Sequence, residues 1–320
     1  MKVFGPIPSR RLGMSIGVNN IPFKFCSYAC VYCQLGRALH MTVQRRLFYA
    51  PDELFDEVSV LVQRLRNQSR QIDYLTIVPD GEPTLDLQLG ALIISLKTLG
   101  IPVAVITNAT LIDNQDVQDS LLLADWVSLK IDAVSDTIWR NVDRPHGGLN
   151  HDTLLLGMKE FSDRYKADPG KRLMTETMLI EGVNTQEDEL QKLAQVVAAC
   201  NPDTAYLSIP TRPPTESWVV PADECSLAGA YAQFTEYGVS CEYLIGYEGD
   251  AFSNSGDSRS DILSITAVHP MREDAVRNLI ERNGEKMLVL DQLEQDCLVT
   301  ITSFRSHRYV VRNFSSGRFL

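Results

Sequence analysis

Residues 23–37, FKFCSYACVYCQLGR, place Cys26, Cys30 and Cys33 in the spacing CxxxCxxC. Three thiolates this close along a chain suit one face of an iron–sulfur cube. Such a cube has one more iron than protein ligands, and the open iron can chelate a small molecule; a cluster held by a full set of cysteines serves electron transfer. Tyr32, just before the third cysteine, is a flat group that could stack on an adenine. Two plainer readings compete. Adding His40 would make a Cys3His zinc site, but structural zinc ligands usually come as two close pairs and the chain offers no second pair. Disulfides fit poorly: the cysteine count of seven is odd, and the opening stretch MKVFGPIPSRRLG has no apolar signal core. A reducing, cytoplasmic location is the expectation.

A chain of 320 residues with 44% hydrophobic content can bury one large α/β core and a small second domain. The richest apolar run, LGALIISLKTLG (89–100), carries Lys97 and falls short of the roughly 18–20 residues of a membrane span, so no membrane association is expected. A net charge of −11 argues against an indiscriminate nucleic-acid binder, but its distribution is uneven. No acidic residue precedes Asp52, whereas Lys2, Arg10, Arg11, Lys24, Arg37, Arg45 and Arg46 all do. Surfaces usually mix both signs. A functional basic rim is therefore expected, favouring a reduced cluster and receiving an anionic substrate.

Downstream, strands and helices alternate. Strand-like MSIGV (14–18) precedes the cysteines, and Pro51 opens a helix with Leu54, Val58, Leu61, Val62 and Leu65 on one face. YLTIV (74–78), VAVI (103–106), WVSLKID (126–132), RLMTETMLIEG (172–182) and AYLSIP (205–210) read as further strands between helical stretches, with Thr185 and Asp188 as a capping pair for a helix ending near Cys200. Six strands separated by helices imply a parallel sheet closed into a partial (βα)6 barrel, with ligands at the carboxyl ends of the strands. The unusual polar residues fall there. Gly81-Glu82-Pro83 follows the second strand, where glycine admits close approach and splayed carbonyls suit an ammonium group. Thr107 and Asn108 end the third strand and can bond hydroxyls or a carboxylate; Lys130 and Asp132 end the fourth, the lysine suited to a carboxylate and the aspartate to ribose hydroxyls. Singly, each of these is as well explained by bonding to loop backbone. Alternation leaves open whether Glu176 points inward or to solvent.

CxxxCx(aromatic)C, GEP and the elements VDRPHGG (142–148), TRPPT (211–215) and ITAVHPMRED (265–274) resemble the radical S-adenosylmethionine superfamily, in the branch of iron–sulfur oxidoreductases grouped with wyosine-type transfer-RNA enzymes. The resemblance covers nearly the whole chain. It implies a [4Fe–4S] cluster on Cys26, Cys30 and Cys33, S-adenosylmethionine on its open iron, and a Gly-Gly-Glu-Pro stretch around the methionine amino group, here with Asp80 in place of the first glycine. It implies Tyr32, Gly81, Glu82, Pro83, Thr107, Asn108, Lys130 and Asp132 as cofactor-pocket residues, and a flavodoxin- or ferredoxin-type electron donor. The scattered Cys200, Cys225, Cys241 and Cys297 read as inert buried residues rather than a second cluster.

The expected organisation is a radical-SAM partial barrel over 1–210, a connecting or lid segment over 211–257 that includes YEGDAFSNSGD, and a carboxyl-terminal module over 258–320. In that module Pro270 opens one helix, EKMLVLDQLEQ forms another and two strands follow, the order of a winged helix with Arg305, Arg308, Arg312 and Arg318 on its wing. Asp291, Glu294 and Asp296 on the second helix are wrong for entering a DNA groove. The expected function is reductive cleavage of S-adenosylmethionine and hydrogen abstraction from a large anionic substrate, with transfer RNA ahead of a peptide or protein. The rival from another class is a non-catalytic iron–sulfur protein, which would need no cofactor pocket.

Overall fold

A computed structural model describes residues 2–246, 256–267 and 270–313. A hairpin of β1 (Val3–Ser9) and β2 (Gly13–Val18) opens the chain, and short β3 (Phe25–Cys26) and β4 (His40–Met41) bracket the cysteine loop. Then come α1 (Pro51–Asn67), β5 (Tyr74–Ile77), α2 (Leu89–Lys97), β6 (Val103–Thr107), α3 (Gln115–Leu121) and β7 (Trp126–Lys130). They are followed by α4 (Asp136–Val142), α5 (His151–Tyr165), β8 (Arg172–Met178), α6 (Glu187–Cys200), β9 (Thr204–Ser208), α7 (Glu224–Glu236) and β10 (Cys241–Leu244). The carboxyl-terminal elements are α8 (Ser258–Thr266), β11 (Met271–Arg272), α9 (Glu273–Arg282), α10 (Leu288–Gln295), β12 (Val299–Phe304) and β13 (His307–Arg312).

The main sheet runs β1-β2-β5-β6-β7-β8-β9-β10, antiparallel at its first pair and parallel at every later one. Strands that follow one another in both sequence and space through right-handed crossovers put the connecting helices on one face, so the sheet curls around the other; α1, α2, α3, α5, α6 and α7 share that core. The outer face carries the large core, which takes in Leu54, Val58, Val62 and Leu65 of α1 together with Val105, Val127 and Leu129 of the strands. On the inner face Leu12, Ala104, Trp126, Met174, Tyr206 and Leu244 close the amino-terminal end. Period-two alternation then turns Ser128 and Lys130 inward beyond Trp126, and Glu176 inward beyond Met174. The barrel is apolar at its floor and charged at its mouth.

All six expected parallel strands are present, and the barrel continues beyond residue 210. Leu227, Ala230 and Phe234 of α7 join the main core, and β10 adds a seventh parallel strand beside β9. Most of YEGDAFSNSGD lies outside the described residues. The expected Thr185–Asp188 capping pair does not form. Gln186 precedes α6 without a side-chain cap, and Thr185 Oγ1 accepts from Gly182 N at 3.1 Å. Glu189, in the first turn of α6, instead accepts from Val134 N (2.6 Å) and Ser135 N (3.0 Å) ahead of α4.

The carboxyl-terminal module has its own apolar core, built on Ile262, Val276, Leu279, Leu293 and Val310, and a sheet in the order β11-β13-β12. Pro270 does not open a helix directly. Met271 and Arg272 pair with β13 and α9 begins at Glu273, where Glu273 and Asp274 supply the acidic first turn that a helix amino terminus favours. Ile7 of β1 packs against this core, and Tyr309 Oη donates to the Thr211 carbonyl at 2.9 Å, so the module rests on the barrel. Among the described residues no helix is long and apolar enough to cross a membrane.

Candidate active site

The cysteine loop is held along its backbone by three separate segments. Lys24 N donates to Asp80 O (3.0 Å) and Glu82 N to Phe25 O (3.0 Å), which lays the loop along the turn after β5. Gly81 is required there: a Cβ on it would stand 1.9 Å from the Phe25 carbonyl oxygen. The VDRPHGG element forms a second edge, with Ala29 N to Asp143 O (3.0 Å), Val31 N to Val142 O (2.9 Å) and His146 N to Ser27 O (2.9 Å). The TRPPT element is the third. Thr215 Oγ1 donates to Cys33 O at 2.6 Å and Glu216 N to Val31 O at 3.0 Å, while the Glu216 carboxylate takes both Arg37 (2.8 Å) and Arg144 (2.7 Å). Two motifs that the sequence offered only as marks of resemblance are thus the loop's clamps.

Each thiol has its own polar neighbour. Asn108 Nδ2 lies 3.7 Å from Cys26 Sγ, Cys30 Sγ lies 3.4 Å from Asp143 Oδ1, and Lys24 Nζ lies 3.3 Å from Cys33 Sγ. Burial pushes the Cys26 thiol up to about 12, with Glu82 adding to it, and drives Cys30 well above its usual range, with Asp143 and the other two cysteines adding to it. Three sulfurs that feel one another's charge, in a place that resists unpaired thiolate, fit a cationic iron cluster. His40, which a zinc reading needs as fourth ligand, stacks on the Phe25 ring at 4.3 Å between centroids.

Glu82 is fully engaged by the protein. Its carboxylate accepts from Thr84 N (3.0 Å), Thr84 Oγ1 (2.6 Å), Thr107 Oγ1 (2.6 Å) and Asn108 N (2.8 Å), which fills the acceptor sites of a carboxylate. Glu82 therefore ties the end of β5 to the end of β6. Asn108 extends the tie by donating to Ser27 Oγ at 3.1 Å. Asp80 pairs with Asn19 (2.8 Å), and burial raises its carboxyl to about 6.

A second network lines the mouth of the barrel. Lys130 Nζ stands 3.2 Å from Glu176 and 3.7 Å from Asp132, and Arg11, from the β1–β2 turn, pairs with the other Glu176 oxygen. Ser208 Oγ also donates to Glu176 (3.1 Å). Glu176 faces inward. Burial alone would raise its carboxyl, but Lys130 and Arg11 more than reverse this and hold it at about 2. Asp132 is shut off from solvent, and burial raises its carboxyl although Lys130 works against this; by distance the lysine's nearer partner is Glu176. Asp132 accepts from Met178 N (2.7 Å) and from the Tyr32 hydroxyl. The Tyr32 ring packs beside Val142 and Ile180, with the Lys130 ammonium 5.1 Å from its centroid. Neither side chain stands open in the way expected for adenine stacking or ribose bonding; together they brace the loop against β7. Asp143, Ser208 and Glu216 were not singled out from sequence, and Arg11 was named only among the cations of the expected basic rim. The signal for Asp143 lay in VDRPHGG, which had no reading of its own.

The acid-free amino-terminal segment is not a free basic rim. Lys2 pairs with Glu53 and Glu57, Arg45 donates to the carbonyls of Thr84 and Asp86, and Arg46 lies over the rings of Phe25 and Phe48. With Arg11 on Glu176 and Arg37 on Glu216, most of these cations already have partners within the chain. A cleft of 690 Å³ opens instead between the cysteine loop and the carboxyl-terminal module, with Cys33 and Gly36 on one wall and Thr300 and Arg312 on the other.

The Radical SAM superfamily profile matches residues 20–194. A UPF0026 protein of Methanocaldococcus jannaschii is 40% identical over 315 residues, 98% of this chain and 96% of its own. A UPF0026 protein of Synechocystis is 31% identical over 214 residues, 66% of this chain and 76% of that one. In fold the chain is similar to SuiB of Streptococcus suis bound to its precursor peptide SuiA (TM-score 0.52, 14% identity, 71% of this chain and 48% of that one). It is similar also to a radical SAM methyltransferase of Sphaerobacter thermophilus (TM-score 0.51, 15% identity, 72% and 66%). At those identities the likeness is one of fold. With the clamped three-cysteine loop at the carboxyl ends of a curled parallel sheet, these matches make the chain a member of the radical SAM superfamily, whose cofactors are a [4Fe–4S] cluster and S-adenosylmethionine.

Proposed function

We propose that this protein is a radical enzyme acting on a large anionic substrate, with RNA ahead of a peptide or protein. The observation that carries the reading is the joining of Cys26, Cys30 and Cys33 to the Gly81 turn and the Asn108 loop, a cofactor pocket that a mere cluster carrier has no use for. Held by Cys26, Cys30 and Cys33, a reduced cluster would supply the electron for reductive cleavage of S-adenosylmethionine and so for hydrogen-atom abstraction from substrate. The chain's own part is placement. The three cysteines would hold the cluster, the turn of Gly81 and Pro83 would receive the methionine amino group, and Thr107 and Asn108 would shape the pocket beside it. Lys130 and Glu176 set the charge of the mouth, while the apolar floor of Trp126, Met174 and Tyr206 excludes water. A flavodoxin- or ferredoxin-type protein supplies the electron.

The support for an anionic substrate is the cleft beside the cysteine loop, since the amino-terminal cations are engaged elsewhere. The carboxyl-terminal module is winged-helix-like in this reading: α8, β11, α9, α10 and the β12–β13 hairpin follow one another around a small sheet. It forms the far wall of the substrate's entrance. The test is anaerobic reconstitution, reduction with dithionite and chromatography for 5′-deoxyadenosine. Its release supports the reading, and a reconstituted cluster that never cleaves the cofactor returns the chain to the non-catalytic class.

A further inference from the structure

Among the cations that precede Asp52, Lys24 is placed unlike the rest. Its side chain is 4% exposed, and a lysine so deeply buried is ordinarily found only with a counter-charge. Among the described residues it forms no ion pair with a carboxylate. Its Nζ lies 3.3 Å from Cys33 Sγ and donates to the Gly36 carbonyl. Asp80 feels its charge from beyond ion-pair reach and bonds Asn19 instead. The backbone fixes the aim of the side chain. Lys24 N donates to Asp80 O at 3.0 Å, and its carbonyl accepts from Leu39 N (3.2 Å) and His40 N (3.1 Å). Its φ of 62° lies in the left-handed region that a residue with a side chain enters at a cost. Two unfavourable choices, a strained backbone and a buried ammonium, thus converge on one sulfur. The other two thiols have no such neighbour. Asn108 beside Cys26 is neutral, and burial drives the Asp143 carboxyl beside Cys30 well above the carboxylate range. Among the described residues, positive charge touches the three sulfurs only at Cys33.

We propose that Lys24 sets the reduction potential of the cluster, its ammonium serving as the fixed counter-charge for the electron received at Cys26, Cys30 and Cys33. The donor, of flavodoxin or ferredoxin type, loses one electron, and the thiolate-bound cluster becomes more negative by one charge. A charge-assisted contact from nitrogen to sulfur strengthens as that charge arrives. Net charge and hydrogen bonds to the sulfurs are among the quantities that place such a potential. Lys24 acts through Cys33, so it is a positioning residue. Of the basic segment's expected part in favouring a reduced cluster, this side chain is what the fold retains. The inference deepens the proposed function at the entry of the electron, and it rests on that reading only for the presence of a cluster.

The test uses the full chain, anaerobically reconstituted and free of S-adenosylmethionine, in a redox titration followed by the electron paramagnetic resonance of the reduced cluster. Lys24→Met keeps the unbranched stem and removes the charge. At the potential where the wild type is half reduced, its ratio of reduced to oxidised cluster should fall at least about tenfold, a downward shift of about 59 mV for one electron. A unit charge this close supplies that much even at an effective dielectric of about 20. Lys24→Arg should stay near the wild type. Arg37→Gln, whose exposed charge Glu216 already answers, should not move the potential. A merely structural role would change melting temperature and iron content and leave the potential where it is. Equal potentials in wild type and Lys24→Met overturn the inference and reduce the lysine to a strut on Gly36. So does an arginine variant as low as the methionine one, since charge is then not the cause. A second measurement needs no change at Lys24. With lysine isotopically labelled at Nζ, pulsed resonance of the reduced wild-type cluster should show coupling to that nitrogen. The coupling should persist in Lys130→Met, which removes the lysine whose charge meets that of Cys30. Its absence from the wild type, or its loss in Lys130→Met, overturns the contact. Release of 5′-deoxyadenosine is measured separately. A Lys24-dependent potential in a chain that never cleaves the cofactor sinks the radical reading and keeps this inference; cleavage with a potential indifferent to Lys24 sinks this inference alone.

Discussion

Cys26, Cys30 and Cys33 differ from the other four cysteines in what surrounds them. Cys200 is packed in the apolar core, Cys225 and Cys297 are exposed, and Cys241 sits on the edge strand β10. Replacing any of the first three by alanine should abolish the cluster. Replacing any of the other four should leave about four irons per chain, as one cube requires. Iron and sulfide analysis decides it, and near eight irons in the wild type would reveal a second cluster. At the barrel mouth the telling residue is Glu176. Its carboxyl sits at about 2 in the folded chain against an ordinary 4.5, so the folded state disfavours its protonation. The stability this contributes, on the order of 3 kcal/mol, is fully present above about pH 4.5 and lost as pH falls towards 2. Glu176→Gln removes that dependence, strips Arg11 of its carboxylate and leaves Lys130 with Asp132 alone, at 3.7 Å. Urea unfolding across that pH window should give a shallower acid limb for the variant and a lower midpoint at neutral pH. Parallel limbs would show that the ion pair does not set acid stability.

Among the elements, the turn after β5 makes the sharpest demand on sequence. Gly81→Ala forces a Cβ to 1.9 Å from the Phe25 carbonyl, a backbone atom that cannot step aside. The expected result is a protein that melts within a few degrees of the wild type, because the large core is untouched, but binds little iron and exchanges amide hydrogens faster over residues 24–33. Full iron content in this variant would show that the loop can shift without losing its ligands. The parallel strands were legible in the sequence because each is a short apolar run between turn signals, and so was α1, from the spacing of Leu54, Val58, Val62 and Leu65. Strand β10 was not. CEYL carries two exposed residues of its four, as an edge strand with one free side can, and so lacks the continuous apolar run of a buried strand. The fates of Glu82 and Asp132 were illegible for another reason. A carboxylate at a strand end reads the same whether it meets a ligand or buried backbone amides, and only the packing of loops far apart in sequence decides it. The same holds for the cations before Asp52, whose partners Glu53, Asp86, Glu176 and Glu216 lie in other elements.

At the scale of the molecule, a barrel whose amino-terminal cations are internally matched should not hold RNA by a broad basic surface. Binding of total transfer RNA should therefore weaken with salt, but with a slope corresponding to only a few phosphate contacts, far shallower than the slopes of about ten seen for extended phosphate tracking. Filter retention at low and high salt measures it, and no retention at low salt with cluster content confirmed would leave a peptide or small molecule as substrate. The three-sided clamp on the cysteine loop has a last consequence. Its hydrogen bonds come from Gly81's turn, from VDRPHGG and from TRPPT, and none of them depends on iron. The ligand frame should outlast its metal. Oxygen that strips the cluster should leave a folded, vacant socket, and returning iron and sulfide should refill it without passing through the unfolded chain, so that damage at this centre is a matter of repair rather than replacement.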